Sequence, residues 1–147
     1  MYKHILIPND GSDLSLKAVK HGIELAAAVK AKVTSITVLS PSLIFNLAPD
    51  EFKGPSEDWG YKKLMESYAE KCLDQVKSEA LDHDVTCNVM YVENEQPYQA
   101  IVDAAENEHC DLIVMASHGR GGISAVVLGS VAQKVLTHSK IPVLIYR

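Results

Sequence analysis

The sequence has little that would link it to a nucleic acid or a membrane. Its 147 residues carry a formal net charge of −5 at pH 7 and contain no run rich in lysine and arginine, whereas non-specific binding to nucleic acid or anionic lipid needs a basic surface. No stretch approaches the roughly 20 apolar residues of a transmembrane helix, and the first apolar run, 4-HILI-7, is too short for the core of a signal peptide. We therefore expect a soluble cytoplasmic protein that binds neither nucleic acid nor membranes.

Cysteine is scarce as well, and no metal site is indicated. The three cysteines, Cys72, Cys87 and Cys110, lie far apart, and the sequence contains no CxxC pair and no HxxxH arrangement. We interpret them as reduced core thiols. The length is that of one domain, spanning residues 1–147.

The apolar residues change period along the chain in a way that predicts alternating strands and helices. Ser12 caps a helix that runs to about Val29, and the stretch 41–60, with its prolines and glycines, is expected to be a loop that acts as a lid or flap. Strands are predicted at 4–8, 33–39, 85–92, 111–116 and 141–147, and further helices at 61–81, from Pro97, and from Ser130 to about His138.

This βαβαβαβαβ pattern with short apolar strands predicts an α/β fold with a five-stranded parallel sheet and helices on both faces. In such sheets ligands bind at the carboxyl ends of the strands, where the strand order reverses. The loops to inspect are therefore 8-PNDGS-12, 38-VLSP-41 and 116-ASHGRGG-122.

The stretch 117-SHGRGGISAVVLGS-130 holds four glycines. It does not match the P-loop, because no lysine follows Gly129, and it does not match GxGxxG, because Ser124 occupies the third glycine position. What remains is a turn of small residues after a strand and a second turn at a helix start, where converging N–H groups can bind an anion. Phosphate binding and a mobile loop followed by a serine N-cap both remain open.

The chain resembles the universal stress protein family over its whole length. The family's nucleotide-binding members carry G-x2-G-x9-G-[ST] after the fourth strand, and Gly119, Gly129 and Ser130 match its last three elements, while Ala116 occupies the first glycine position. The turn IPNDGS, the strand end VLSP and the closing IPVLIYR add to the resemblance. It implies a Rossmann-like fold of the adenine nucleotide alpha hydrolase type, and ATP, with Mg²⁺ or Mn²⁺, as the ligand.

The resemblance also implies roles for individual residues. Gly119, Gly129 and Ser130 would hold phosphates, and Asp10 would lie at the adenine and ribose end, although an Asx-type turn explains Asp10 equally well. Arg120 could contact phosphates or be a solvated loop charge. The expected site comprises Pro8, Asn9, Asp10, Val38, Ala116, His118, Gly119, Arg120, Gly122, Gly129 and Ser130, with no catalytic residue assigned.

Two functions follow. One is an ATP-binding stress-response or signalling protein with at most slow hydrolysis, and the other is a nucleotide-free dimeric interaction protein in which Ala116 marks loss of the site. The stretch 9-NDGSDLS-15 weakly resembles the SGGxDS loop of ATP pyrophosphatases but lacks its double glycine. The terminal strand should lie at a sheet edge, and a homodimer through Val143 to Tyr146 is expected.

Overall fold

Five parallel strands form one sheet in the order β3-β2-β1-β4-β5. The computed structural model describes residues 1–47, 59–120 and 127–147. The strands are β1 (His4–Pro8), β2 (Lys32–Leu39), β3 (Cys87–Glu93), β4 (Leu112–Ala116) and β5 (Val143–Tyr146). The helices are α1 (Asp13–Val29), α2 (Pro41–Leu47), α3 (Trp59–Asp82), α4 (Pro97–Asn107) and α5 (Ser130–His138).

The two faces of the sheet bury alternate residues of each strand, as the pleat of a strand requires. Ile5 and Ile7 pack with α1 and α3, whereas Leu6 packs with α4 and α5. In β4, Val114 joins the first cluster and Ile113 the second. Each fully buried Ile, Leu or Val side chain stabilises the fold by about 1.5 to 3 kcal/mol, so the central strands anchor both layers of helices.

The start of α1 shows how local chemistry sets an element boundary. The Ser12 hydroxyl accepts a hydrogen bond from the Ser15 N–H at 3.3 Å, which confirms the predicted N-cap. At the other end Lys30 adopts a left-handed conformation with φ of 58°, and its N–H bonds the carbonyls of the last turn. The helix therefore begins and ends where the sequence predicts.

The strand order determines where a ligand-binding crevice can form at the edge of the sheet. From β1 the chain adds β2 and β3 on one side, and then crosses to add β4 and β5 on the other. The order reverses between β1 and β4, whose carboxyl ends lie beside each other. A crevice forms at such a point because the connections from the two strands leave in opposite directions. The five parallel strands and the edge position of β5 agree with the sequence prediction.

The structure corrects the expectation that 41–60 begins as an irregular loop. Pro41–Leu47 is a helix, which starts where the Ser40 hydroxyl accepts a hydrogen bond from the Leu43 N–H at 3.1 Å. Residues 48–58 of the expected flap lie outside the described part of the chain. Among the described helices, none is both long enough and apolar enough to cross a membrane.

Candidate functional site

A cleft of about 330 Å³ opens at the carboxyl ends of β1, β2 and β4. The first residues of α4 and α5 and Leu43 of α2 also line it. Of the eleven residues predicted from the sequence, ten line this cleft, and Gly122 lies outside the described residues. Those ten are Pro8, Asn9, Asp10, Val38, Ala116, His118, Gly119, Arg120, Gly129 and Ser130.

The two glycine segments meet at the polar end of the cleft. The Gly129 N–H donates to the Ser117 carbonyl at 2.7 Å and so ties the start of α5 to the turn after β4. A Cβ on Gly129 would lie 3.1 Å from the His118 Cα and 3.2 Å from the Ser117 oxygen, which leaves little room for a side chain. Gly129 is the N-cap of α5, and Ser130 begins the helix, whose first N–H groups have no partner within the helix. The two turns thus face the same space.

The N-cap of α5 is not a serine, which was one of the two alternatives that the sequence left open. Gly129 holds that position with an extended backbone (φ −63°, ψ 156°) and no capping side chain. A glycine cap leaves the N–H groups of the first turn without the side-chain oxygen that a serine cap would supply. Those groups are therefore available to an anion, and the Ser130 hydroxyl is exposed beside them.

The Asp10 side chain approaches Gly119 closely. A Cβ built on Gly119 would lie 2.3 Å from the Asp10 Oδ2, a distance that real atoms do not tolerate. Its φ lies outside the left-handed region; among the described glycines Gly11 alone is left-handed, with φ of 78°. At Gly119 and Gly129 the glycines thus leave space for close neighbours and do not supply a left-handed backbone.

Asp10 joins the turn after β1 to the turn after β4. Its Oδ1 accepts the Ser12 N–H at 2.9 Å, which is the Asx-type turn considered from the sequence. Its Oδ2 accepts the Arg120 N–H at 3.2 Å. The carboxylate thus shapes both turns while it lines the cleft.

Asn9 is almost fully buried, and its amide is bonded on both sides. Its Nδ2 donates to the Cys72 carbonyl at 2.9 Å, and its Oδ1 accepts from the Gly11 N–H and the Ser15 hydroxyl at 2.9 and 3.1 Å. The Thr37 hydroxyl donates to its carbonyl at 2.9 Å. Buried polar groups that are fully paired hold a unique local structure, so Asn9 fixes the turn on which Asp10 is placed.

Arg120 is exposed, and its guanidinium is bonded to the turn after β1 and to α3. Its Nε donates to the Asp10 carbonyl at 3.1 Å and to the Tyr68 hydroxyl at 2.8 Å, and its Nη2 approaches the Gly11 carbonyl at 3.4 Å. The guanidinium also lies 5.5 Å from the centre of the Tyr68 ring. Burial raises the pKa of Tyr68 to about 12, so the phenol remains protonated at neutral pH. Its hydroxyl donates to the Asp10 carbonyl. Sequence reasoning missed Tyr68 because this contact spans 52 residues.

His118 and Ala116 occupy ordinary structural positions. The His118 Nδ1 pairs with the Ser117 hydroxyl at 3.1 Å, and no carboxylate partner for this ring is found among the described residues. Ala116 ends β4 in register with Tyr146 of β5. Because it has the extended conformation of a strand, alanine here needs no left-handed backbone.

The other half of the cleft is apolar. Val38 lies in β2 paired with Val92 of β3 and is half-buried at the cleft wall. Sequence analysis did not select the residues around it, although the apolar spacing of β2 and β4 and the Pro97 at the start of α4 were visible signals. These additional lining residues are Ile36, Leu43, Pro97, Ile101 and Met115.

The arrangement can hold a flat apolar ring system next to an anion. The apolar half offers aliphatic side chains, and the polar half offers a helix N-terminus, the Ser130 hydroxyl and one guanidinium. No group of three or more His, Cys, Asp or Glu side chains suited to a metal ion occurs in the described residues.

Comparisons with known proteins agree with this geometry. The model of the universal stress protein family matches residues 1–147. Universal stress protein MJ0531 of Methanocaldococcus jannaschii is 36% identical over 149 residues, covering 100% of this chain and 83% of the relative.

Two of the matching solved structures illustrate the shared fold. MJ0577 of the same organism, solved for a structure-based assignment of its biochemical function, has a TM-score of 0.77 at 30% identity, covering 99% of this chain and 95% of the other. A universal stress protein in complex with cAMP has a TM-score of 0.67 at 27% identity, with 99% and 97% covered.

Proposed function

The chain belongs to the universal stress protein family, and on that premise we propose that it binds an adenine nucleotide, ATP in the first place, in the cleft at the carboxyl ends of β1, β2 and β4. The observation that carries the proposal is the Gly129 to Ser117 hydrogen bond of 2.7 Å. It brings the N-terminus of α5 and the turn after β4 to the same end of one cleft, whose other end is apolar.

The nucleotide would lie along the cleft. The adenine would contact Val38 and Leu43, with the base hydrogen-bonding to the main chain at the end of β2. The phosphates would approach the first N–H groups of α5 and the Ser130 hydroxyl. Each exposed helix-end interaction contributes only about 0.3 to 1 kcal/mol, so affinity depends on several donors acting together. Mg²⁺ or Mn²⁺ would enter with the phosphates.

A relative supports the choice of ligand. The universal stress protein solved in complex with cAMP is 27% identical to this chain over nearly its whole length. cAMP and ATP share the adenine and the ribose, and they differ in the charge and extent of the phosphate. The shared part is what the apolar half of the cleft would recognise.

We expect binding with at most slow hydrolysis. A general base needs a partner that orients it and tunes its pKa, and the His118 ring pairs with the Ser117 hydroxyl instead of a carboxylate. The output of the protein would then be a nucleotide-dependent stress response or signal. We place it in the cytoplasm, which the three free cysteines support because disulfides persist in oxidising compartments.

Thermal unfolding with and without ligand tests the proposal. A ligand at 100 times its Kd stabilises the native state by about 2.7 kcal/mol, which corresponds to roughly 8 °C for a chain of this size. ATP and cAMP should raise Tm saturably, and inorganic phosphate alone should not. No change in Tm at millimolar ATP, with or without Mg²⁺, and with millimolar cAMP would contradict nucleotide binding and favour the nucleotide-free interaction protein.

A charged substitution at Ser130 tests where the phosphates bind. Ser130→Asp places a negative charge at the first position of α5, where it should preserve or raise stability through the helix dipole but repel a phosphate. We expect it to abolish the ATP-induced rise in Tm. Ser78→Asp makes the same charge change at an exposed position of α3 away from the cleft and should bind ATP like the wild type. If both variants bind equally well, the phosphates lie elsewhere.

We also propose that two copies pair through Val143 to Tyr146. β5 is an edge strand, and its Leu144 is 42% exposed, so unpaired backbone groups and an apolar side chain are available together. Light scattering should give twice the chain mass of 16.1 kDa, and Leu144→Lys should reduce it to one chain. Tyr91→Lys, on the opposite edge strand β3, serves as the control and should remain dimeric. A monomeric wild type at micromolar concentration would contradict this pairing.

A further inference from the structure

One side chain of helix α3, Tyr68, contacts two residues that line the cleft. The Tyr68 hydroxyl donates to the Asp10 carbonyl and accepts from the Arg120 Nε at 2.8 Å. Tyr68 itself is not part of the cleft wall, whereas Asp10 and Arg120 both are. A single phenol therefore joins α3, the turn after β1 and the turn after β4.

These contacts hold one edge of the Arg120 guanidinium. The hydrogen bonds to Tyr68, Asp10 and Gly11 use Nε and Nη2, and none of the contacts described for Arg120 uses Nη1. A guanidinium has five N–H donors in a fixed planar fork. Fixing the Nε and Nη2 edge consequently fixes the direction of the Nη1 donors, on a residue that lines the cleft.

We propose that Tyr68 is a positioning residue for the phosphate of the nucleotide: it holds Arg120 against the turn after β1 so that the remaining donors of the guanidinium are fixed for a phosphate. The inference rests on the proposed function. An arginine held in one orientation loses less side-chain entropy on binding than a mobile one. A phosphate at the polar end of the cleft would therefore bind to a guanidinium that is already oriented. The raised pKa of the phenol, about 12 because of burial, agrees with a hydroxyl that stays protonated.

The substitution Tyr68→Phe isolates this role from folding. It keeps the ring on which the guanidinium lies and removes the hydroxyl alone. The Asp10 carbonyl keeps its bond from the Arg120 Nε at 3.1 Å, so no buried acceptor loses its only donor. The variant should thus fold, and its effect should appear in binding.

The experiment compares a ligand with phosphates and one without. Dissociation constants for ATP and for adenosine are measured by calorimetry for the wild type, Tyr68→Phe, Arg120→Gln and the double variant. Tyr61→Phe is the matched control, because Tyr61 lies on the same helix and donates to Glu93 at 3.3 Å, outside the cleft wall. It should bind like the wild type.

We expect Tyr68→Phe to weaken ATP binding about tenfold, the order of one hydrogen bond to a charged group, and adenosine binding less than about twofold. In the Arg120→Gln background the same substitution should have no further effect on ATP. Unchanged ATP affinity, an equal loss for adenosine, or a full effect that persists without Arg120 would each overturn the positioning role. A wild type that binds neither ligand would overturn the proposed function itself, and the inference with it.

Discussion

The substitution Gly119→Ala tests whether the turn after β4 is shaped by its contact with Asp10. The added methyl would lie 2.3 Å from the Asp10 Oδ2 and 3.5 Å from its Cγ. Since the backbone at Gly119 is not left-handed, alanine does not meet the penalty of a left-handed conformation there. The entire cost should come from moving the carboxylate.

The magnitude follows from what holds that carboxylate. Asp10 accepts the Ser12 N–H at 2.9 Å and the Arg120 N–H at 3.2 Å. Rotating it away from the methyl breaks at least the second bond. A hydrogen bond to a charged group contributes about 1.5 to 3 kcal/mol, and exposure of the loop lowers this to about 1 to 2 kcal/mol. For a chain of this length the expected fall in Tm is about 3 to 6 °C.

The assay is thermal unfolding followed by circular dichroism for four proteins: the wild type, Gly119→Ala, Asp10→Ala and the double variant. Without the Asp10 carboxylate the methyl has room, so Gly119→Ala should cost less than about 0.5 kcal/mol in that background. Nucleotide affinity of the Gly119→Ala variant should fall too, because the displaced carboxylate would move within the cleft. An equal loss of stability with and without Asp10 would refute the steric explanation.

Two predictions concern pH. Burial, and next the charge of Lys32, lowers the pKa of His4 below its ordinary 6.5. As pH drops below about 6.5, His4 is protonated in the unfolded chain more readily than in the native state, so the stability of the native state should fall. His4→Gln should flatten that slope in urea unfolding between pH 7.5 and 5.5, and an unchanged slope would contradict it. Burial raises the pKa of Cys110 from 9.0 to about 12, so stability should decline as pH rises from 9 towards 12. Cys110→Ala should reduce this decline between pH 8 and pH 10; a decline as steep as that of the wild type would show that other groups cause it.

Most of the fold could be predicted because local patterns and the global fold agree. The apolar residues of α1 repeat at helical spacing and are buried on one face, and the runs of β1 and β4 are buried on both faces, as an internal parallel strand requires. The strand order itself is not written in any local pattern. The sequence predicted only the edge position of the last strand, and the general rule that ligand crevices form where the order reverses applies here between β1 and β4.

Two features were missed for different physical reasons. α2 has seven residues, too few to show a period of 3.6, and the three prolines and two glycines of the stretch 41–60 favoured a loop. The signal was nevertheless present, since Ser40 followed by Pro41 is a typical helix start. The contact of Tyr68 with Arg120 joins residues 52 apart, and no single-sequence pattern reports a pair at that distance.

The alanine at position 116 bears on which of the two functions is correct. If the first glycine of the family's pattern were needed for a left-handed turn, alanine there would distort the site. Ala116 is instead an extended residue in register with Tyr146, and the close neighbours that an added side chain would meet occur at Gly119 and Gly129. These two positions keep their glycines in this chain. The backbone conformation at Ala116 therefore gives no reason for this chain to have lost its nucleotide site. Substitutions that weaken the site are expected at Gly119 and Gly129 instead.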